Sequence, residues 1–161
     1  MADKVYEKIL QFAADGNLYN ELLRARAEFM QRTGHLVESD EDFEKRLSLF
    51  LEWYVLERPV RDSEEKRPIE LYLEQEASLA DEERILAERW QQSKASLFLV
   101  KSIRKDVIIV YDLLHDAKIR VGERRKVVGL KRGDILEGRL VPLDEEAIGD
   151  FRFSGTTLLL P

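Results

Sequence analysis

Hydrophobic positions recur at offsets of three and four until about Gln92 and at every second residue after Ser96, so the chain reads as helices followed by strands. The densest stretch is Phe43 to Pro59. Phe43, Leu47, Phe50, Leu51 and Tyr54 make one helical stripe there, and Leu49, Trp53 and Leu56 make a second beside it. A helix apolar over most of its circumference is buried, so this segment is predicted to be the central strut of the fold. Upstream, Val5, Ile9 and Phe12 mark a first helix, capped by Asp3 and ended by Gly16-Asn17. Leu22, Ala25 and Phe29 mark a second, from about Leu18 to Thr33, with Gly34 free to take the positive φ of a helix terminus. The run Ser39-Asp40-Glu41-Asp42 opens the third helix, where negative charge complements the helix dipole. After Pro59, VRDSEEKR has the composition of an exposed loop. Pro68 suits the first turn of a short helix. Ser78 to Asp81 resembles a capping box, and Ile85, Leu86 and Trp90 mark a last helix.

Beyond Ser96 the apolar runs are short and rich in β-branched and aromatic residues: Leu97–Val100, Val107–Leu114, Lys118–Val121, Ile135–Leu143 and Phe151–Phe153. The polar turns IRKD, LHDA, KRGD and DEEAIGD separate them. Ile119 and Val121 alternate cleanly with Lys118 and Arg120, whereas VIIV is apolar on both faces. The fold class predicted is therefore α+β. An N-terminal bundle of four or five helices, residues 1–94, precedes a small antiparallel β-barrel or curved sheet of about five strands, residues 95–161, packed on it.

Composition narrows the classes of function. Hydrophobic residues are 44% and charged residues 36% of the chain, a globular profile, and no apolar run approaches the ~18 residues of a membrane span. The start MADKVYEKIL lacks a basic-then-apolar leader, and there is no cysteine, which removes disulfides, thiolate nucleophiles and cysteine zinc sites. Both features point to a cytoplasmic address, with no membrane association. The net charge of −6 is uneven: residues 1–94 carry −8 and residues 95–161 carry +2. An acidic chain is a poor non-specific ligand for nucleic acid.

The candidate chemistry is sparse. His35 and His115 are the only histidines and share no metal-ligand spacing, so no metal and no cofactor is expected. Nucleophile-elbow, P-loop and dinucleotide motifs are absent, and the many carboxylates read as helix first turns and solvated loops. The chain is accordingly read as non-catalytic. Trp53 and Trp90, at helical spacing, read as core or seam residues. One constellation stands out: Arg124, Arg125 and Lys126, followed by Lys131 and Arg132, five cations that would meet phosphates if brought to one rim. Against that, a charged connection also serves to keep a strand edge from pairing, and the β-half shows no aromatic stripe for stacking bases.

The order FLEWYVLERP, PIELYLE, SLFLV, VYDLL, then RRKV and LKRGDILEGRLVPL resembles a group of uncharacterised bacterial proteins, over most of residues 24–153. The shared marks are an F-x-E-W-Y-x-x-x-R-P helix end and a G-D-x-x-x-x-R-L-x-P strand. The resemblance implies this element order and a bacterial source, and it transfers no catalytic residue. Gly133-Asp134-Ile135-Leu136-Glu137-Gly138 is also similar to a strand entry of S1-type OB domains. The residues favour a protein-interaction module with another protein as partner; the alternative is RNA or DNA binding by the β-half through the basic cluster.

Overall fold

In a computed structural model of the chain, residues 2–35, 37, 39, 41–75, 79–122, 130–144, 149–155 and 158–160 are described. The chain divides into two compact units, Met1–Gln91 and Gln92–Pro161. The first holds α1 (Ala2–Ala14), α2 (Tyr19–Thr33), α3 (Phe43–Leu56), α4 (Pro68–Leu73) and α5 (Asp81–Gln91). The second holds β1 (Lys94–Arg104), β2 (Val107–Asp112), β3 (Ala117–Gly122), β4 (Ile135–Pro142), β5 (Phe151–Phe153) and β6 (Leu158–Leu159). The α+β class and the order of helices before strands are as the periodicity predicts.

In the helical unit the hub is α1, which packs against α2, α3, α4 and α5. Its stripe Val5, Ile9 and Ala13 is fully buried, and these compact side chains let neighbours approach closely. The strut expected at α3 is thus a partner of α1, and only part of its circumference is buried: Phe50, Tyr54, Val55 and Leu56 are inside, while Phe43, Leu47, Leu49, Leu51 and Trp53 are half-exposed. Trp53 closes an aromatic cluster with Phe29 and Phe50, ring centroids 6.0 and 6.3 Å away. Trp90 is buried and stacks on Tyr6 at 4.2 Å, inside the helical unit. The Tyr54 hydroxyl donates to the carbonyls of Ala13 and Leu18, and burial pushes its pKa up to about 12.

Helix ends follow the local rules in part. Gly34 ends α2 with φ +91°, and Arg46 from α3 donates to the carbonyls of Thr33, Gly34 and His35, satisfying orphan groups of that terminus. Pro68 opens α4, where Glu70 accepts from the Arg67 amide and from its Nε. Asp3 lies within the first turn of α1, and the capping residue expected at Ser78 lies outside the described residues.

Beneath this packing sits a buried ion cluster. Arg58, 9% exposed, donates from Nε and Nη2 to both oxygens of Glu28 and from Nη1 to Glu21 at 2.7 Å. Glu21 accepts further bonds from Arg24 and from the Arg61 amide. Burial alone would raise the Glu21 pKa, but these donors outweigh it and hold the carboxyl below its usual range.

The β-unit is a closed barrel. Strand order is β1-β2-β3-β5-β4, and β4 returns to pair with β1. β6 adds to β4 beside β5, since Leu136 and Glu137 face Leu159 and Leu158 while Leu140 to Pro142 face β5. One pairing departs from the antiparallel expectation: β3 and β5 run parallel at Val121 and Phe151, because a closed ring of five strands cannot alternate direction at every pairing. This closed order with one parallel pair is the connectivity of OB barrels. Its core is Phe98, Val100, Ile108, Val110, Val121, Leu136 and Leu140. Two boundaries also shift. β1 runs through Ile103-Arg104, expected as a turn, and β2 stops at Asp112, leaving Leu113-Leu114 in the turn.

Two substitutions test this packing. Gly149 has φ +91°, and a Cβ built there would lie 2.5 Å from the Gly122 amide nitrogen. Gly149→Ala is expected to destabilise the barrel by ~2–4 kcal/mol, from left-handed strain and overpacking, read by urea unfolding. Arg58→Leu leaves Glu21 buried without its main partner and is expected to cost ~3–5 kcal/mol in the helical unit, read by helical circular dichroism.

Candidate binding face of the barrel

Alternation sorts the side chains of β1 to β3. Phe98 and Val100, Ile108 and Val110, and Val121 point into the core. The opposite parity is Leu97, Leu99 and Lys101 on β1, Val107, Ile109 and Tyr111 on β2, and Lys118 and Arg120 on β3. A β-bulge between Val100 and Ser102 then brings Ser102 opposite Ile109 and Arg104 opposite Val107. The outward face therefore carries Lys101, Arg104, Lys118 and Arg120 and no acid. Glu137 on β4, opposite Leu97, bounds it.

Tyr111 lies at the centre. It pairs with Leu99 on one side and Lys118 on the other, and the Lys101 ammonium lies 5.7 Å from its ring centroid. Arg120 pairs with Ile109, one row away. A half-buried ring among cations offers a stacking surface and phosphate contacts together.

The cluster predicted from sequence reaches this face only in part. Arg124, Arg125 and Lys126 lie outside the described residues. Lys131 and Arg132 are exposed in the turn that enters β4. That turn is held rigidly: the Asp134 carboxylate accepts the Lys131 amide at 2.7 Å, and Gly133 takes φ +95°. The Gly133 amide donates to the Val100 carbonyl at 2.9 Å and the Val100 amide to the Asp134 carbonyl at 2.8 Å. The turn is thereby fastened to β1 one residue from Lys101.

A second feature closes the β2–β3 turn. Asp112, 3% exposed, accepts from the Ser96 hydroxyl, from the amides of Leu114 and His115, and contacts His115 Nδ1 at 2.9 Å. Burial would raise its pKa, but these bonds outweigh it and the carboxyl is held below its ordinary value. The turn so fixed presents Leu113 at 42% and Leu114 at 64% exposure.

Among the described residues of the helical unit, an open cleft of about 790 Å³ is lined by Arg24, Glu28, Arg58 and Arg61 and by the loop residues Asp62, Glu64 and Glu65. Those three acids all take positive φ. Arg58 and Glu28 are engaged with each other there. Among the described residues no group of His, Cys, Asp and Glu is arranged to hold a metal ion, and no helix is long and apolar enough to cross a membrane.

Sequence reading missed Tyr111, Lys101 and Arg104 as parts of one face. The signal was present as the period-2 alternation of β3, but VIIVYD is apolar at both parities and hid the phase of β2. Residues 3–156 match the family of unknown function DUF7986, and the chain belongs to that family. No curated protein and no solved structure matches the chain.

The Asp112 network sets a pH dependence. Its folded pKa is below the ordinary 3.8, so its stabilisation is complete above that value and is lost as pH falls through the lower folded one. The melting temperature of the barrel is expected to fall on that acid limb, and Asp112→Asn to lower it at neutral pH while flattening the limb.

Proposed function

We propose that the barrel binds single-stranded nucleic acid on the outer face of β1 to β3. The observation that carries this is an acid-free face of four cations, Lys101, Arg104, Lys118 and Arg120, arranged around Tyr111. The OB order adds an analogy at the level of fold, since such barrels bind oligonucleotides on the strand 2–3 face. The acidic net charge is carried by residues 1–94, at −8, whereas residues 95–161 carry +2.

Fluorescence anisotropy with a labelled mixed-sequence oligonucleotide tests the reading. Three to four phosphate contacts give a slope of log K against log salt of about −2 to −3. Lys118→Ser with Arg120→Ser is expected to reduce that slope by about 1.4 and to shift stability by no more than ~0.5 kcal/mol per site. A wild-type protein that binds no single strand at low salt would refute the reading.

The turn Leu113-Leu114 supports a second reading, the docking of a partner protein. Two adjacent exposed leucines on a turn fixed by a buried carboxylate form a preorganised apolar knob, which suits insertion into a partner's pocket. Under this reading Leu114→Ser abolishes partner binding and leaves nucleic-acid affinity unchanged.

A further inference from the structure

We infer that the strand runs across the β-strands, from Lys118 and Arg120 over Tyr111 and Lys101 to the Lys131–Arg132 turn, so that the site takes an unpaired segment of about four nucleotides, the low end of what one OB barrel holds. The inference rests on the nucleic-acid reading and adds to it a path, a length and a requirement for unpaired bases.

The path follows from the register. Arg120 and Lys118 on β3 face Ile109 and Tyr111 on β2, and Tyr111 faces Leu99 on β1 beside Lys101. The far edge of β1 is fastened at Val100 to the turn that bears Lys131 and Arg132. Each step between neighbouring strands is about 4.8 Å, so the cations are spread over roughly 14 Å along one line. A line of that length matches consecutive phosphates of a short strand. Along the strands, by contrast, the outward rows lead one way to Leu97 and Glu137 and the other way to Arg104 alone.

The requirement for unpaired bases follows from Tyr111. Its ring is the aromatic on this face, and a ring can stack only on a base whose own face is free, which duplex stacking denies. The Lys101 ammonium now lies over that ring, on a stem long enough to swing to a phosphate when a base takes its place. The Asp134 carboxylate accepts the Lys131 amide and so shapes the turn.

The test is a competition assay on the full chain, in which unlabelled RNA and DNA strands from dinucleotide to octanucleotide, and a hairpin duplex, displace a labelled octanucleotide. Affinity is expected to climb steeply to about four nucleotides and then to flatten, with the duplex about tenfold weaker than a strand of equal length. Tyr111→Leu should weaken single strands about tenfold and leave the duplex unchanged. Lys131→Ser with Arg132→Ser should remove the gain from two to four nucleotides and reduce the salt slope by about 1.4. If that double variant keeps the wild-type length profile and slope while strands still bind, the path is wrong and the nucleic-acid reading stands. Duplex binding equal to single-strand binding, unaffected by Tyr111→Leu, would overturn the requirement for unpaired bases. Failure of every strand to compete, with no direct binding at low salt, would overturn the reading and the inference together.

Discussion

The β-unit depends on β1 being long enough to pair twice. Its residues 94–99 pair with β4 and its residues 98–104 pair with β2, so one strand serves two sides of the barrel. Removing either pairing would open the sheet and leave two unpaired edges, each a row of free amides and carbonyls. The bulge at Val100 and Ser102 lets β1 curve between its partners, and curvature there has a chemical effect. It places Lys101 at the step in register, where its ammonium lies over the Tyr111 ring, while the Val100 amide and carbonyl continue the β4 ladder onto the Gly133-Asp134 turn.

Charge is handled differently in the two units. In the helical unit a guanidinium is taken almost out of water and is matched by two carboxylates, with a bidentate bond to Glu28 and a single one to Glu21. The desolvation cost of such a cluster is large, and it is offset only because each polar atom of Arg58 that faces inward has an acceptor. In the barrel the Asp112 carboxylate is buried among the Ser96 hydroxyl, the amides of Leu114 and His115, and the His115 ring. Such bonds are directional, so they shape a turn where an ion pair would only hold it. On β1 to β3 the cations Lys101, Arg104, Lys118 and Arg120 stay outside with no acid on the same outward face, whereas Arg139 on β4 is buried and donates to Ser93.

The strained loop beside Arg58 shows how far packing can override local preference. Asp62, Glu64 and Glu65 adopt left-handed backbone conformations that cost non-glycine residues about 1–2 kcal/mol each. The loop is held by the Ser63 hydroxyl, which bonds the Val60 and Lys66 carbonyls, and by the bond from the Val60 amide to Lys66. Nothing in the run RDSEEK announces this conformation, because it is imposed by closing the chain between α3 and α4.

What the sequence by itself determined was the local order. Stripes at three and four residues placed the helices, Gly34 and Pro68 placed two of their ends, and alternation such as Lys118-Ile119-Arg120-Val121 placed strands, because these signals act between neighbours in the chain. Tertiary structure decided what depends on distant residues. The pairing of Arg58 with Glu21 and Glu28 spans 37 and 30 residues, and the parallel pairing of β3 with β5 has no local signature. The phase of β2 was likewise undecidable from VIIVYD, since an apolar residue fits either face. Only its register against Lys118 and Leu99 turned Tyr111 outward. A side chain's type is written in the sequence, but which other side chains it meets is set by closure of the barrel, where residues far apart in the chain are brought to one face.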